Sequence, residues 1–300
     1  MRVVTYNIQY SRGKDSRFDL DRCIAEVADA DIIALQEVER FWQRTGMTDQ
    51  PAAIAARLPE FYWVYGPSFD VQLSNGSAST EAAGANGAVD SRRRQFGDML
   101  LSRWPIVSSR LIPLPKTHYA DRFNMAMGGL EGVIESPLGP LRVWSIHIGH
   151  LEAPERLEQI RTLLDVQARG SLECGAWSGP GSIGADDWVE GMGQPPMPEA
   201  TIWLGDFNMT PDSEEYSLLT SNAGTGGGFL DAWETAPQRE GQGPTYPERV
   251  IDGRIEGDRL DYAFLSADLA PRLAACRVDD EAQGSDHQPV WIELELERHG

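Results

Sequence analysis

Short apolar segments rich in β-branched and aromatic residues recur along this chain of 300 residues, and several stop at a residue that can bind a metal ion or a phosphate. The clearest is WLGDFNMTP, residues 203–211, where a predicted buried strand ends and Asp206 and Asn208 follow. Because alternate residues of an extended segment point to the same side, this carboxylate and this amide are expected to project together. A charge at the end of a buried strand needs a partner or a metal, since burying it unpaired is costly.

The order of the predicted elements favours a mixed α/β fold. Strands are predicted at 2–8, 31–39, 61–66, 95–107, 127–136, 141–148, 201–208, 259–266 and 289–296, with helices at 19–28, 52–58, 154–168 and 210–219. Many strands, few helices and short hairpin-like connections predict a sandwich rather than an all-parallel sheet. The sequence is interpreted as a single domain, residues 1–300, with flexible Gly-rich insertions near 68–94, 170–200 and 222–257.

Composition narrows the class of protein. The formal net charge of −20 repels a polyphosphate backbone, so nucleic acid is a possible partner but not the favoured one. No apolar run approaches the ~18 residues of a membrane span, which predicts a soluble chain. Three cysteines, odd in number and far apart, suit a reducing compartment and show no zinc spacing. We therefore expect a cytoplasmic, monomeric protein without a membrane span.

The polar residues at the strand ends share one chemistry. They are Asn7, Glu37, His147, Asp206, Asn208, Asp261, Asp286 and His287. Each alone has an ordinary interpretation: Asn7 as a turn residue, Asp261 as a partner of Arg259, and His147 as a satisfied histidine with His150 as its competitor. Glu39 is expected to be a solvated strand end. Together, the carboxylates and amides suit one or two Mg²⁺ or Mn²⁺ ions, and the histidines suit proton transfer or oxyanion stabilisation.

No Walker loop and no nucleophile elbow is present, so the chemistry inferred from the residues is metal-assisted attack of water, most plausibly on a phosphate ester. The chain also resembles the endonuclease/exonuclease/phosphatase superfamily, which contains DNase I, exonuclease III-type nucleases, inositol polyphosphate 5-phosphatases and neutral sphingomyelinases. The matching segments follow the family's order: TYNIQY (5–10), IIALQEVE (32–39), FGDMLLSRWPIV (96–107), SIHIGH (145–150), WLGDFNMTPDS (203–213), RLDYAFLS (259–266) and GSDHQPV (284–290). The resemblance implies a four-layer α/β/β/α sandwich with two mixed β-sheets.

The resemblance also implies metal-side roles for three residues. Glu37 is similar to the family's main metal carboxylate, with Asn7 as a ligand or support beside it, and Asp286 is a further metal-side ligand.

Five residues are implied to be catalytic. Asp206 is similar to the residue that orients or deprotonates the attacking water, and Asn208 to the one that holds phosphate oxygens. His287 is implied to hydrogen-bond the phosphoryl group, with Asp261 fixing its tautomer. His147 resembles a second histidine that contacts the phosphate.

Four further residues are candidate substrate contacts. Asp98 stands where many family members carry a small or amide residue, so its extra carboxylate could pair with His147 or bind a second cation. Arg93 and Arg94 belong to the densest basic cluster, and Arg122 matches an arginine often found before the next strand. Tryptophans beside the variable stretches are candidates to line a substrate groove: Trp42, Trp177, Trp188 and Trp233.

Three functions stay open at this point. A divalent-metal-dependent hydrolase of a small-molecule or lipid-linked phosphoester is favoured, because the acidic chain lacks a clear basic track for nucleic acid. A DNA or RNA endo- or exonuclease is the alternative. A catalytically silent binding relative is disfavoured, because each matched catalytic position holds a competent residue.

Overall fold

Two mixed β-sheets organise the computed structural model, which describes residues 1–73, 91–183, 186–221 and 228–296. Within these residues the first sheet contains, in spatial order, β12 (Gln238–Glu240), β16 (Leu273–Val278), β17 (Val290–Leu294), β1 (Arg2–Asn7), β2 (Ile32–Arg40), β4 (Arg93–Ser102) and β3 (Tyr62–Gln72). The second contains β11 (Leu230–Asp231), β15 (Asp261–Leu265), β10 (Thr201–Asp206), β7 (Gly139–His147), β6 (Gly128–Ser136) and β5 (Ile106–Pro113). Two hairpins stand apart, β8 (Ser182–Ile183) with β9 (Asp186–Asp187), and β13 (Tyr246–Ile251) with β14 (Arg254–Asp258).

Four of the five described helices begin after a capping side chain. The five are α1 (Leu20–Ala25), α2 (Gln50–Arg57), α3 (Ala153–Glu173), α4 (Glu214–Thr220) and α5 (Ala232–Thr235), and α3 begins without such a cap. Asp19, Asp49 and Ser213 each accept a backbone N–H from the first turn of α1, α2 and α4, which satisfies a donor that the helix itself leaves unpaired. In the described part of the chain, no helix is both long and apolar enough to cross a membrane.

Three apolar clusters hold the sheets and helices together. One joins side chains of both sheets, among them Ile32 and Leu100 of the first and Val143 of the second. Neighbouring residues of the same strands point the other way: Ile33 packs in a second cluster with residues of α1 and α2, and Trp144 packs in a third with residues of α3 and α4. The side-chain alternation of the strands therefore separates the interior between the sheets from the surfaces that bind helices.

The mixed α/β class with two mixed sheets is confirmed, but one predicted strand is wrong. The segment 95–107 is not continuous: β4 ends at Ser102 in the first sheet, and β5 begins at Ile106 in the second. Pro105 lies at the break, where its missing N–H cannot join a ladder. Residues 273–278, which the sequence left unassigned, form β16.

The predicted insertions contain more regular structure than expected. β3 reaches Gln72 and β4 starts at Arg93, so part of the 68–94 segment is paired backbone, while 74–90 lies outside the described residues. Helix α3 continues to Glu173. The 222–257 segment includes α5 and β13, with 222–227 outside the described residues. The single-domain interpretation stays a prediction.

Parallel pairing brings the polar strand ends to one edge. β1 runs parallel to β2, with Asn7 opposite Gln36, and β7 runs parallel to β10, with His147 opposite Asp206. β15 is antiparallel to β10, so its first residue, Asp261, also lies opposite Asp206. Across the two sheets, Asn7 donates to Asp206 at 3.0 Å, so the carboxyl ends of β1 and β10 meet beside the start of β15.

Candidate active site

A cavity of about 500 Å³ opens at this edge. Six of the residues predicted from sequence line it: Glu37, His147, Asp206, Asn208, Asp286 and His287. The two other predicted residues of the strand ends, Asn7 and Asp261, are buried and contact members of this set. The structure thus brings together all eight polar residues of the strand ends.

Asp206 is the centre of the arrangement. Its Oδ2 accepts a hydrogen bond from Asn7 Nδ2 at 3.0 Å, and the Nε2 atoms of His147 and His287 lie 3.6 Å and 3.8 Å from the same oxygen. Its Oδ1 accepts the backbone N–H of Asn208 at 2.9 Å. This carboxylate is therefore fixed in position, with two histidines on its cavity side.

His287 is oriented by a buried carboxylate. Its Nδ1 lies 2.8 Å from Asp261 Oδ2, so this hydrogen bond leaves Nε2 directed to the cavity. Burial alone would lower the pKa of His287, but the nearby carboxylates of Asp261 and Asp206 outweigh it and raise the pKa above its ordinary value. The pair can hold His287 as an imidazolium, which stabilises negative charge that develops beside it.

Glu37 enters the site through an irregularity of β2. The pairing with β4 shifts between Leu35 and Val38, and Glu37 adopts a left-handed φ of 60°. Its Oε1 accepts from Asn7 Nδ2 at 3.1 Å. Burial raises the pKa of Glu37, an effect that His147 partly opposes. Since the amide oxygen of Asn7 already accepts a backbone N–H of Gln9 at 3.0 Å, Asn7 serves to orient the two carboxylates.

Gly205 allows the end of β10 to approach β7 closely, because glycine has no Cβ. A Cβ at this position, where φ is 151°, would lie 1.8 Å from the carbonyl oxygen of Ile146. No other residue type fits this approach of β10 to β7 without a shift of backbone. Asn208 has a φ of 46°, a conformation that asparagine tolerates better than most residues, and its Nδ2 donates to Ile148 O at 3.0 Å.

A strained turn follows Asn7. Gln9, Tyr10 and Ser11 all have positive φ values, of 41°, 45° and 72°. Each left-handed residue costs on the order of 1–2 kcal/mol, so the surroundings must hold the turn. Gln50 does so, because its Nε2 donates to Tyr10 O at 2.9 Å and to Ser11 Oγ at 3.2 Å. The turn lets the Gln9 side chain donate to Asp286.

The acidic excess of the site fits a cation. Asp206, Asp261 and His287 offer ligand atoms within 4.8 Å of one another, but the hydrogen bond of His287 Nδ1 to Asp261 favours orientation of the ring over ligation by this trio. Behind the cavity, Asp98 is 1% exposed and neither of its carboxylate oxygens has a hydrogen-bond partner within the described residues. Burial, reinforced by Glu37 and Asp206, raises the pKa of Asp98 well above its usual value. A hard divalent cation would offset this concentration of carboxylates.

The structure places the four candidate substrate contacts away from the cavity wall. Arg93 binds Asp70 at 2.6 Å and Arg122 binds Glu152 at 2.7 Å. Arg94 and Asp98 also do not line the cavity, and Asp98 makes no hydrogen bond to His147, so the predicted pair is wrong. Contact of these residues with a substrate stays a prediction.

Two of the ordinary interpretations are wrong, and His150 stays a competitor of His147. Arg259 pairs with Asp231 and Glu234, and not with Asp261. Glu39 is fully buried rather than solvated, and it pairs with Arg44. His150 is exposed but lines the cavity together with His147.

Several cavity residues were not found by sequence reasoning. Trp42 lines the cavity as one hypothesis proposed, whereas Trp177, Trp188 and Trp233 do not. The missed residues are Tyr10, Arg44, Phe96, Phe123, Met125, Met127, Tyr246 and Leu260. The ring centroids of Tyr246 and His287 lie 5.0 Å apart. The sequence signal, aromatic residues beside the quoted motifs, also fits ordinary core packing.

Solved structures with similar folds carry different activities in their descriptions. A mannosyl-6-phosphatase of Bacteroides thetaiotaomicron has a TM-score of 0.63 and 17% identity, covering 98% of this chain and 99% of its own. A sphingomyelinase C of Streptomyces griseocarneus has a TM-score of 0.60 and 19% identity, covering 98% and 99%. A 3'-5' exonuclease of Neisseria meningitidis has a TM-score of 0.53 and 16% identity, covering 98% and 100%. At these identities the likeness shows the fold alone.

No curated protein matches the sequence. The model of the endonuclease/exonuclease/phosphatase family matches residues 4–287, which include every residue of the site from Asn7 to His287. The chain therefore belongs to the endonuclease/exonuclease/phosphatase family.

Proposed function

We propose that this protein is a divalent-metal-dependent hydrolase that cleaves a small-molecule or lipid-linked phosphoester by in-line attack of water. Family membership supports phosphoester hydrolysis. The observation that carries the proposal is the position of Asp206, whose carboxylate lies within 4 Å of the Nε2 atoms of His147 and His287 on the cavity side.

Asp206 is suited to hold the attacking water. Its Oδ1 is occupied by the Asn208 N–H and its Oδ2 by Asn7, so the carboxylate cannot rotate away from the cavity. A fixed carboxylate that faces the substrate can orient water and accept its proton.

His287 and His147 are suited to bind the phosphoryl oxygens. In His287 the bond to Asp261 fixes the ring, so that Nε2–H can donate to an oxygen as charge builds on it. Asn208 supplies a further donor, because Nδ2 uses one N–H on Ile148 O and the other is available to a phosphate oxygen.

A divalent cation, Mg²⁺ or Mn²⁺, would be held by Glu37 and Asp286, with Asn7 orienting Glu37. When bound, it would neutralise negative charge on the phosphate and the leaving oxygen. Both carboxylates line the cavity, and oxygen ligands are those that these ions prefer. Whether one or two ions bind is a matter for titration.

The cavity wall supports a compact substrate. It carries aromatic and methionine side chains, including Trp42, Phe123 and Met125, and a single arginine, Arg44, among its described residues. With a net charge of −20, the chain offers little attraction for a long polyanion. The cytoplasmic location and the monomeric state stay predictions.

A hydrolysis panel tests the proposal. Purified protein is assayed with Mg²⁺, Mn²⁺ or EDTA on a generic phosphodiester, a phosphomonoester, a sphingomyelin-type lipid and supercoiled DNA. We expect turnover of at least one of the first three substrates, abolished by EDTA. Turnover of DNA alone would identify a nuclease instead, and no turnover with any divalent ion would favour a binding protein.

A further inference from the structure

One wall of the cavity, here called the aromatic wall, combines Arg44 with the rings of Tyr10 and Trp42. The Arg44 guanidinium carbon lies 3.8 Å from the ring centroid of Tyr10 and 4.6 Å from that of Trp42. Each of these rings contacts a further ring. The ring centroids of Tyr10 and Phe18 lie 6.0 Å apart, and those of Trp42 and Phe69 lie 5.7 Å apart. Two rings within cation–π distance restrict the movement of the guanidinium.

A buried carboxylate also holds the Arg44 side chain in place. Nε and Nη2 of Arg44 donate to Oε2 of Glu39 at 2.9 Å and 2.6 Å, and the Glu39 side chain is 0% exposed. Gln50 links the Arg44–Glu39 pair to Tyr10. Its side chain accepts the Glu39 N–H at 2.9 Å and donates to Tyr10 O at 2.9 Å. The arginine is therefore held in place before any ligand arrives.

Part of the guanidinium is left for a ligand. The Arg44 side chain is 37% exposed and lines the cavity, and its Nη1 has no hydrogen-bond partner within the residues that the structure describes. Nη1 carries two N–H groups, and these donors suit an oxyanion.

The distribution of charged residues along the cavity indicates which anionic group of a substrate Arg44 would bind. Glu37, Asp206 and Asp286 line the side formed by the strand ends, where the histidines also lie. Those groups, with a cation, already account for the scissile phosphate. Arg44 is the sole lysine or arginine among the described lining residues, and it belongs to the separate aromatic wall.

We propose that Arg44 is a specificity-determining residue that binds a second anionic group of the substrate, a phosphate or carboxylate distinct from the hydrolysed ester. The inference rests on the proposed function and names its substrate class: phosphoesters with two anionic groups. A charge-assisted hydrogen bond of this kind favours such a substrate over a neutral analogue by about ten- to a hundredfold.

The test compares two p-nitrophenyl phosphodiesters whose second alcohol ends either in a carboxylate or in its neutral amide. Wild-type protein with Mg²⁺ should prefer the carboxylate ester by about ten- to a hundredfold in kcat/KM. Arg44→Gln should lose this preference through KM, while its kcat on the neutral ester stays near the wild-type value. Arg44→Lys should keep part of the preference.

Arg40→Gln is the matched control. Arg40 also binds a carboxylate, Asp49 at 2.8 Å, and its guanidinium carbon lies 4.8 Å from the Tyr65 ring centroid, but it does not line the cavity. This variant should retain the wild-type preference. Should Arg44→Gln fail to fold because Glu39 loses its partner, the double variant Glu39→Gln/Arg44→Gln replaces it.

Two outcomes would overturn the inference: a wild type without the preference, or a folded Arg44→Gln that slows both esters equally, which is what a structural role produces. Loss of the proposed function is distinguishable, because the wild type would then hydrolyse neither ester. A third arm uses trinucleotides with a phosphate or a neutral methylphosphonate beside the scissile bond. A larger preference there than with the small diesters identifies the second anion as a nucleic acid phosphate.

Discussion

Buried charged groups occupy both ends of the second sheet, and they are arranged in opposite ways. At the start of β10, Arg142 lies opposite Thr201 and binds Glu131, which also binds Arg110 at 2.5 Å; Arg110 in turn binds Glu173 at 2.9 Å. Two cations match two anions. At the other end of the second sheet, Asp206 and Asp261 meet Glu37 and Asp98 of the first sheet, with two histidines beside Asp206. Within the described residues, Asp98 has no hydrogen-bond partner.

Structural and functional charges differ in this molecule by whether the protein itself satisfies them. The Arg142 guanidinium also donates to the carbonyl oxygens of Gln167 and Val166 in α3, so its hydrogen bonds are met by the protein itself. The site end has left-handed backbone at Glu37 and Asn208, and an excess of carboxylates. Unpaired buried carboxylates and strained backbone both cost stability, and the proposed cation would offset the first of these costs.

We call the end of the second sheet with Arg142 and Glu131 the closed end, and the end with Asp206 the site end. The largest loss of stability is expected at the closed end. Glu131→Ala leaves Arg142 buried without its anion, so the free energy of unfolding should fall by about 3–5 kcal/mol in urea denaturation. Turnover per folded molecule should not change. Glu158→Ala, which breaks the exposed pair with Arg161, should cost no more than about 0.5 kcal/mol. Equal losses in the two variants would show that the buried network is not a stability element.

The reverse pattern is expected for His287. His287→Ala removes an oriented donor to the phosphoryl group and should lower kcat by about 10²–10³ while the protein remains folded. Asp206→Ala should likewise abolish divalent-dependent turnover. His118→Ala is the control, since His118 is exposed and outside the cavity lining. Wild-type rates in purified His287→Ala would refute its assignment.

A smaller effect is expected at Asp98, and its sign is unusual for a buried substitution. Because its pKa is raised, the Asp98 carboxyl must take up a proton when the metal-free protein folds at neutral pH, which costs stability. Asp98→Asn removes this cost, so it should stabilise the EDTA-treated protein by about 1–3 kcal/mol in thermal unfolding at pH 7. The added stability that Mg²⁺ gives should shrink in the variant. Asp29→Asn, at an exposed position, should change neither value by more than about 0.5 kcal/mol. A destabilised metal-free Asp98→Asn would contradict the picture of an incomplete site.

The last prediction concerns the number of cysteine thiols that react before and after unfolding. Burial raises the pKa of Cys23, in α1, and that of Cys276, in β16, to about 12. Both thiols are therefore neutral at pH 8, and the thiolate is the reactive form. Only the partly exposed Cys174 should react with a thiol reagent before unfolding, against three thiols afterwards. Rapid labelling of Cys23 or Cys276 in the folded protein would contradict this prediction.

The strand ends could be predicted from sequence because they follow local rules. An apolar run that stops at Asn7, Glu37 or Asp206 identifies both the strand and its terminal residue, and parallel pairing then brings the ends together. The aromatic wall could not be predicted in this way. Tyr10 approaches Arg44 from a left-handed turn at residues 9–11, and that turn is held by Gln50 of α2. These features depend on contacts between distant segments, which no local pattern encodes.

The break at Pro105 shows a second limit. The run 95–107 has the composition of one strand, and Pro105 alone does not tell whether the chain turns within a sheet or crosses to another. That choice depends on which apolar face each half covers: Leu100 in β4 and Ile106 in β5 contact the same cluster from different sheets.

The central claim is that the site end of the sheet is completed by a cation. Its most direct test is calorimetric titration of EDTA-stripped protein with Mn²⁺. The account predicts saturable binding to the wild type, loss of that binding in Glu37→Gln, and wild-type binding in Glu131→Gln, whose charge lies at the closed end. Absence of saturable binding to the wild type, or unchanged binding in Glu37→Gln, would contradict it.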